Sequence, residues 1–263
     1  MPHRPNELEH RYGDHVHILQ DPLANTLLAK LCSDDTQQPE VNRLVSALYR
    51  DLVATVISNE LPSVNVERST RMTAQHPNAI WRGRIIDPAA RVAVVCVARA
   101  GIFPSQVTYD FLNELLDPKG VRQDHMLMNR VTDEAGHIAG AAIQGAKIGG
   151  SVEGTTLLVP DPMGATGTTL VTLIDHYRKN VPGTPASAIA VNLIITPEYI
   201  RKIKEESPGT LIYAYRVDRG LSEADVLASV PGEHWDRERG LSDEGYIIPG
   251  GGGLGEVMNN AFV

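Results

Sequence analysis

Apolar residues recur at helical spacing between Glu40 and Leu61, where Val41, Leu44, Val45, Leu48, Leu52, Val53, Val56 and Ile57 form one face of a long amphipathic helix beginning after Pro39. Such a face predicts packing on a sheet. Two short stretches follow, VNVERSTRM and AIWRGRII, with Pro77 and Asn78 between them, and they predict a hairpin. Beyond Ala90 the pattern changes. The apolar runs RVAVVCVARAG, HMLMNRV, TTLLVPDP, ASAIAVNLIIT and TLIYAYRV alternate with the helical segments SQVTYDFLNELL, TTLVTLIDHYRKN and PEYIRKIKEE. A run with no polar alternation is a strand covered on both faces, and strands separated by helices make a parallel sheet. The expected core is α/β and doubly wound, with ligands bound in the crevice at the carboxyl ends of the strands.

Composition narrows the function classes. The 263 residues are 42% hydrophobic and 21% charged, the balance of a globular protein with a large core. No apolar run approaches the roughly 20 residues needed to cross a bilayer. The opening MPHRPNELEHRYGDH holds no secretory stretch, so the expected location is the cytoplasm, without a membrane partner. A formal net charge of -8 argues against a nucleic-acid partner, because backbone binding needs a surplus of Lys and Arg on one face. Any phosphate bound here should be small and locally held. Cys96 lies within VAVVCVA and reads as a buried thiol, and no disulfide with Cys32 is expected. Residues 1–38 read as an N-terminal arm, and 39–263 as one domain. The arm's His3, His10, His15 and His17 lack regular helical spacing, which favours a solvated arm free to pack on a partner subunit over a metal site.

The stretch TTLLVPDPMGATGTTLVTLIDHYRKN joins an apolar strand, an acid, a Gly/Thr turn and a helix. Backbone N–H groups of the turn and helix N-terminus, with the hydroxyls of Thr166, Thr168 and Thr169, can surround a phosphate whose charge the helix dipole favours. Asp161 can accept from two neighbouring ribose hydroxyls. The geometry suits a phosphorylated sugar, although a Gly/Thr turn also serves as a plain cap. The turn lacks the Lys of a P-loop, which argues against nucleoside triphosphate hydrolysis. GGGGLG lies too near the end of the sequence to open a dinucleotide-binding unit.

The turn Asp161-Pro162-Met163-Gly164-Ala165-Thr166-Gly167-Thr168-Thr169 resembles the 5-phosphoribosyl 1-diphosphate (PRPP) loop of uracil phosphoribosyltransferases, with Thr168 where that family usually has Gly. VARAGIFP resembles the family's Leu-Arg-Ala-Gly segment, which implies that Arg99, Ala100 and Gly101 approach the pyrophosphate. GYIIPGGGGLGE resembles the family's Gly-Tyr-Ile-Ile-Pro-Gly-Leu-Gly-Asp-Ala-Gly-Asp, which reads uracil largely through backbone groups. By that resemblance the base site comprises Ile247, Ile248, Gly250, Gly252, Gly253, Leu254 and Glu256. DRGLS and RGLSDEGYIIPG resemble the preceding Asp-x-Gly-Leu-Asn run, with an insertion at about 221–240. The family's Tyr-Arg-Asp/Asn-Glu-Glu-Thr segment is not reproduced after HMLMNRV, where Arg130 is the nearest substitute. In place of a flexible hairpin stands DEAGHIAGAAIQGAKIGG, which suits a mobile flap or a plain surface hairpin equally.

Together these motifs span most of residues 90–263. They imply a phosphoribosyltransferase-type parallel sheet flanked by helices, with an N-terminal helical arm and a C-terminal base-binding segment. The implied reaction transfers the phosphoribosyl group of PRPP to uracil, giving UMP and pyrophosphate. Asp161 and Arg99 are the implied catalytic residues. Mg2+ is the implied cofactor, bound with PRPP and not at a metal site of the protein's own, and the implied partner is a second or further copy of the chain. Two alternatives stay open: a transferase for another base, given the altered glycine run, and a non-catalytic sugar-phosphate-binding regulator, given the missing Arg segment.

Overall fold

A computed structural model describes residues 6–132 and 138–261 of the chain. Regular structure opens with β1 (Val16–Ile18), α1 (Pro22–Leu31) and α2 (Glu40–Glu60), then the strands β2 (Ser63–Ser69) and β3 (Ile80–Ile86). The core continues with β4 (Val92–Ala98), α3 (Ile102–Asn113), β5 (Val121–Thr132), β6 (Ile138–Lys147), β7 (Thr156–Pro160), β8 (Met163–Gly164) and α4 (Thr168–Asn180). It closes with β9 (Ser187–Val191), β10 (Ile194–Ile195), α5 (Pro197–Glu206), β11 (Leu211–Ala214), β12 (Arg216–Val217), α6 (Ala224–Leu227) and α7 (Leu254–Val257). The main sheet runs β1-β11-β9-β7-β4-β5-β6 and is parallel except for the β5–β6 pair.

Alternation along β4 shows why an unbroken apolar run folds this way. Val92 and Val94 face a core shared with α1, α2 and α3, whereas Ala93, Val95 and Val97 face a second core shared with α4 and α5. Both faces are covered, so no position tolerates a polar side chain. The α2 stripe named in the sequence is buried in the first core, and its Tyr49 hydroxyl donates to Val191 O at 3.1 Å. The hairpin of β2 and β3 pairs antiparallel over all seven positions, Ser63 opposite Ile86 through Ser69 opposite Ile80. Cys96 is a buried free thiol, and Cys32 is free as well. Among the described residues no helix is long and apolar enough to cross a membrane.

Three local expectations need correction. Residues 6–38 are not a solvated arm, because β1 adds in parallel to the edge strand β11 and buries Tyr12, Val16 and Ile18. A strand of three residues is too short for periodicity to announce it, yet it covers an edge that would otherwise expose unpaired backbone. The runs ASAIAVNLIIT and TLIYAYRV each read as one strand, but each splits in two. β8, β10 and β12 form a separate small parallel sheet beyond the carboxyl ends of β7, β9 and β11. Burial stays continuous through Asn192, Leu193, Ile194 and Ile195, so the buried Asn192 is the one polar sign of the first break, and the second, at Tyr215, carries none. The third correction concerns the histidines of the arm: His10 Nε2 lies 3.0 Å from Val16 O, and His17 stacks on Tyr213 with ring centroids 4.4 Å apart.

Residues 221–240 leave the fold and return through a closed neck. Leu221 N donates to Arg239 O at 3.1 Å, and Arg239 N donates to Ser222 Oγ at 2.9 Å. DEAGHIAGAAIQGAKIGG contributes β6, the antiparallel edge of the sheet; its first five residues, 133–137, lie outside the described residues.

Candidate functional site

The strand ends of β4 and β7 meet the C-terminal segment around a cavity of about 520 Å³. Its floor is the turn between β7 and α4. Asp161 N donates to Val191 O at 3.1 Å, and Asn192 Nδ2 donates to Asp161 O at 2.6 Å. Tyr199 Oη in turn donates to Asn192 Oδ1 at 3.0 Å. The backbone of Asp161 is thus fixed from the neighbouring strand, while its Oδ1 accepts from Met163 N at 3.2 Å. Burial first, and then the Asp161 carboxylate, pushes the Tyr199 and Tyr49 hydroxyls above the ordinary phenol range, so both stay protonated donors.

Gly167 takes φ +78, a conformation that glycine adopts without strain, and hands the chain into α4. Thr168 N donates to Thr166 Oγ1 at 3.3 Å, which shapes the turn into a cradle. The first residues of the 13-residue α4, Thr168 to Leu170, line the cavity, so the positive end of the helix faces it.

At the end of β4 the chain turns sharply into α3. A methyl added at Gly101 would stand 2.7 Å from Val97 O and 2.9 Å from Pro160 O, so only glycine lets this turn lie against β7. Arg99 and Ala100 are presented to the cavity as a result. The Ala98–Arg99 peptide is cis. Arg99 Nη1 lies 3.8 Å from Glu256 Oε1.

The glycine-rich segment is anchored from β12 and the turn after it. Gly250 N donates to Asp218 Oδ2 at 2.8 Å, Gly250 O accepts from Arg216 Nη2 at 2.7 Å, and Arg216 grips Asp218 at 2.6 and 2.9 Å. The N–H and the C=O of Gly250 are thereby both held by a mutually neutralising pair. Gly250 and Gly252 take φ +64 and +71, and α7 then places Leu254 and Glu256 over the strand ends.

Arg99, Ala100, Asp161, Met163, Ala165, Thr166, Gly167, Thr168, Thr169, Ile247, Gly252, Gly253, Leu254 and Glu256 all line the one cavity. Gly101, Pro162, Gly164, Ile248 and Gly250 do not; they stand behind its wall. Gly164 is buried where a methyl would meet Ile195 and Tyr199, and Ile248 O accepts from Gly220 N at 2.9 Å. Arg130 lies on β5 opposite Ala141, and its side chain falls outside the described residues. Asn129, Tyr199 and Tyr246 line the cavity and were not singled out from sequence. A polar residue ending the run HMLM was a usable signal for Asn129. Tyr199 belongs to the apolar face of α5 and reads as core.

Asp161, Glu256 and Asn129 are oxygen donors on the cavity wall, but among the described residues no three His, Cys, Asp or Glu side chains cluster as a metal cage. That set suits a cation such as magnesium that keeps several waters and arrives with a substrate's phosphates.

The family model for uracil phosphoribosyltransferase matches residues 18–238, which include the 161–169 turn and Arg99 and stop before the glycine run. A uracil phosphoribosyltransferase of Nicotiana tabacum is 26% identical over 257 residues, covering 94% of this chain and 93% of that one. One from Thermococcus sibiricus is 35% identical over 107 residues, or 41% of this chain, and the match covers 35% of that relative's length. Among solved structures, a protein from Aquifex aeolicus shares the fold, with a TM-score of 0.67 at 20% identity and coverage of 92% of this chain and 97% of that one.

Proposed function

The chain belongs to the uracil phosphoribosyltransferase family, and from that premise we propose that it transfers the phosphoribosyl group of PRPP to uracil, giving UMP and pyrophosphate. The observation that carries this reading is the meeting of the turn at the α4 N-terminus, Arg99 and the glycine-rich segment in one cavity. The 5-phosphate sits on the first turn of α4, and Asp161 accepts from the ribose hydroxyls. Arg99 engages the diphosphate. The base lies against the backbone of the glycine-rich segment beside Gly252 and Gly253, which line the cavity. Uracil N1 loses its proton to solvent and bonds to the anomeric carbon as the C–O bond to pyrophosphate breaks with its electron pair leaving on the pyrophosphate oxygen, through a transition state with oxocarbenium character. Positioning and charge stabilisation account for the rate, and no covalent nucleophile takes part. Magnesium, when bound with PRPP, would supply charge neutralisation for the leaving group, with Asp161 and Asn129 as the cavity side chains that would hold it.

The test is nucleotide formation from PRPP with a panel of uracil, cytosine, hypoxanthine and orotate. Uracil alone should react. Product from another base reassigns the substrate, and PRPP binding with no product from any base makes the chain a sugar-phosphate-binding regulator. The reading also sets the reaction in the cytoplasm, in a homodimer or larger assembly, whose size light scattering measures.

Two further expectations follow from the separate placement of the ligand groups. Arg99→Ala should raise the PRPP Michaelis constant by about tenfold, the scale of one charge-assisted contact, while ribose 5-phosphate binding stays unchanged. Equal weakening of the two ligands would reject the pyrophosphate role. Gly252→Val should raise the Michaelis constant for uracil by about fivefold and leave that for PRPP alone, because a side chain at φ +71 strains the backbone by about 1 kcal/mol. Unchanged uracil kinetics in that variant would remove the glycine run from the base site.

A further inference from the structure

Arg99 already holds an anion. Its guanidinium and the Glu256 carboxylate, 3.8 Å apart, both face the cavity and are 45% and 39% exposed. The tail delivers Glu256 to that place: Gly255 packs so tightly that a methyl there would lie 3.2 Å from Ala100 Cβ, beside Arg99. A second observation concerns Gly253. Its φ of -79 is open to any residue, so conformation does not demand glycine. What a side chain would meet is Glu256, whose Oε2 lies 2.5 Å from a methyl built at that position. The glycine leaves room for the carboxylate to fold back toward Arg99.

Resting on the assignment of Arg99 to the diphosphate, we propose that Glu256 is a specificity-determining residue that occupies Arg99 until a diphosphate displaces it. A diphosphate offers paired oxygens and more charge than one carboxylate, so the exchange runs forward on binding. The displaced carboxylate then shares the cavity with an ion of like sign, and its exposure lets it turn toward solvent. Affinity for pyrophosphate is therefore held below what Arg99 alone would give, and Glu256 takes Arg99 back as product pyrophosphate leaves. A ligand with only a 5-phosphate does not engage the pair, so Glu256 acts on diphosphate-bearing ligands selectively.

Calorimetric titration of the full chain with inorganic pyrophosphate, and separately with ribose 5-phosphate, tests this. Glu256→Gln should tighten pyrophosphate about three- to tenfold and leave ribose 5-phosphate unchanged, with a gain that shrinks as salt is added. Gly253→Ala, which pushes the carboxylate off Arg99, should act in the same direction. Adding Arg99→Ala to Glu256→Gln should abolish the gain. Equal pyrophosphate affinity in wild type and Glu256→Gln overturns this proposal alone, as does equal tightening of both ligands. A wild-type chain that binds neither ligand overturns the transferase reading and this proposal with it.

Discussion

Asp161→Asn is expected to lower kcat/KM for PRPP by about a hundredfold while the melting temperature stays within a degree or two of wild type. A carboxylate accepts from both ribose hydroxyls, whereas an amide has one accepting oxygen and presents an N–H₂ to the other. Each charge-assisted hydrogen bond lost costs about 1.5 to 3 kcal/mol, or roughly ten- to 150-fold in rate. Asp161 is placed by its own backbone, through Val191 O and Asn192 Nδ2, and the bond from Met163 N can go to the Oδ1 that an amide keeps. Steady-state kinetics beside a thermal melt separates the two effects. Wild-type kinetics in a folded variant would take Asp161 out of the site.

The floor of that site was legible because its residues are consecutive. An apolar strand, an acid, a turn rich in Gly and Thr and an amphipathic helix follow one another within residues 155–180, and the structure keeps that order as β7, the turn and α4. The parallel core was legible for a similar reason, since every β4 residue from Val92 to Val97 is buried and none could be polar. What pattern reading missed is contributed from far along the chain. Nothing near Gly250 in sequence shows that Arg216 and Asp218 hold its N–H and C=O, because the sheet alone brings them together. Gly101 and Gly164 matched a ligand motif, but their lack of a side chain serves close packing behind the cavity. In WDRERG, Glu238 reads as one more surface charge, yet it is fully buried. Residues from three separate segments make that possible.

Those segments supply the second large expected effect: Glu238→Ala should destabilise the chain by about 3 to 5 kcal/mol, a fall in melting temperature of roughly 10 °C. The Glu238 carboxylate accepts from Tyr12 Oη at 2.7 Å, Gly232 N at 2.7 Å and Arg219 Nη1 at 2.8 Å. Arg219 is itself only 10% exposed, and its other acceptors, Val226 O, Leu227 O and Ser229 O, are neutral. Removing the carboxylate leaves a guanidinium charge without a counter-ion and the buried Tyr12 hydroxyl without its acceptor. Burial, the largest cause that holds that hydroxyl protonated above the usual phenol range, persists in the variant, so the phenol does not substitute as the anion. Glu238→Gln keeps an accepting oxygen and should cost less, and replacing Glu238 and Arg219 together by Leu and Met should cost less than Glu238→Ala. The effect should also reach the base. Gly220 N donates to Ile248 O at 2.9 Å and Ile248 N donates to Gly240 O at 2.8 Å, so the neck of the 221–240 insertion is bonded to the glycine-rich segment. Below its melting temperature, Glu238→Ala should therefore raise the Michaelis constant for uracil more than that for PRPP, whose turn lies on α4. A melting temperature within 2 °C of wild type would show that Glu238 does not anchor the insertion, and the coupling to the base would lose its physical basis.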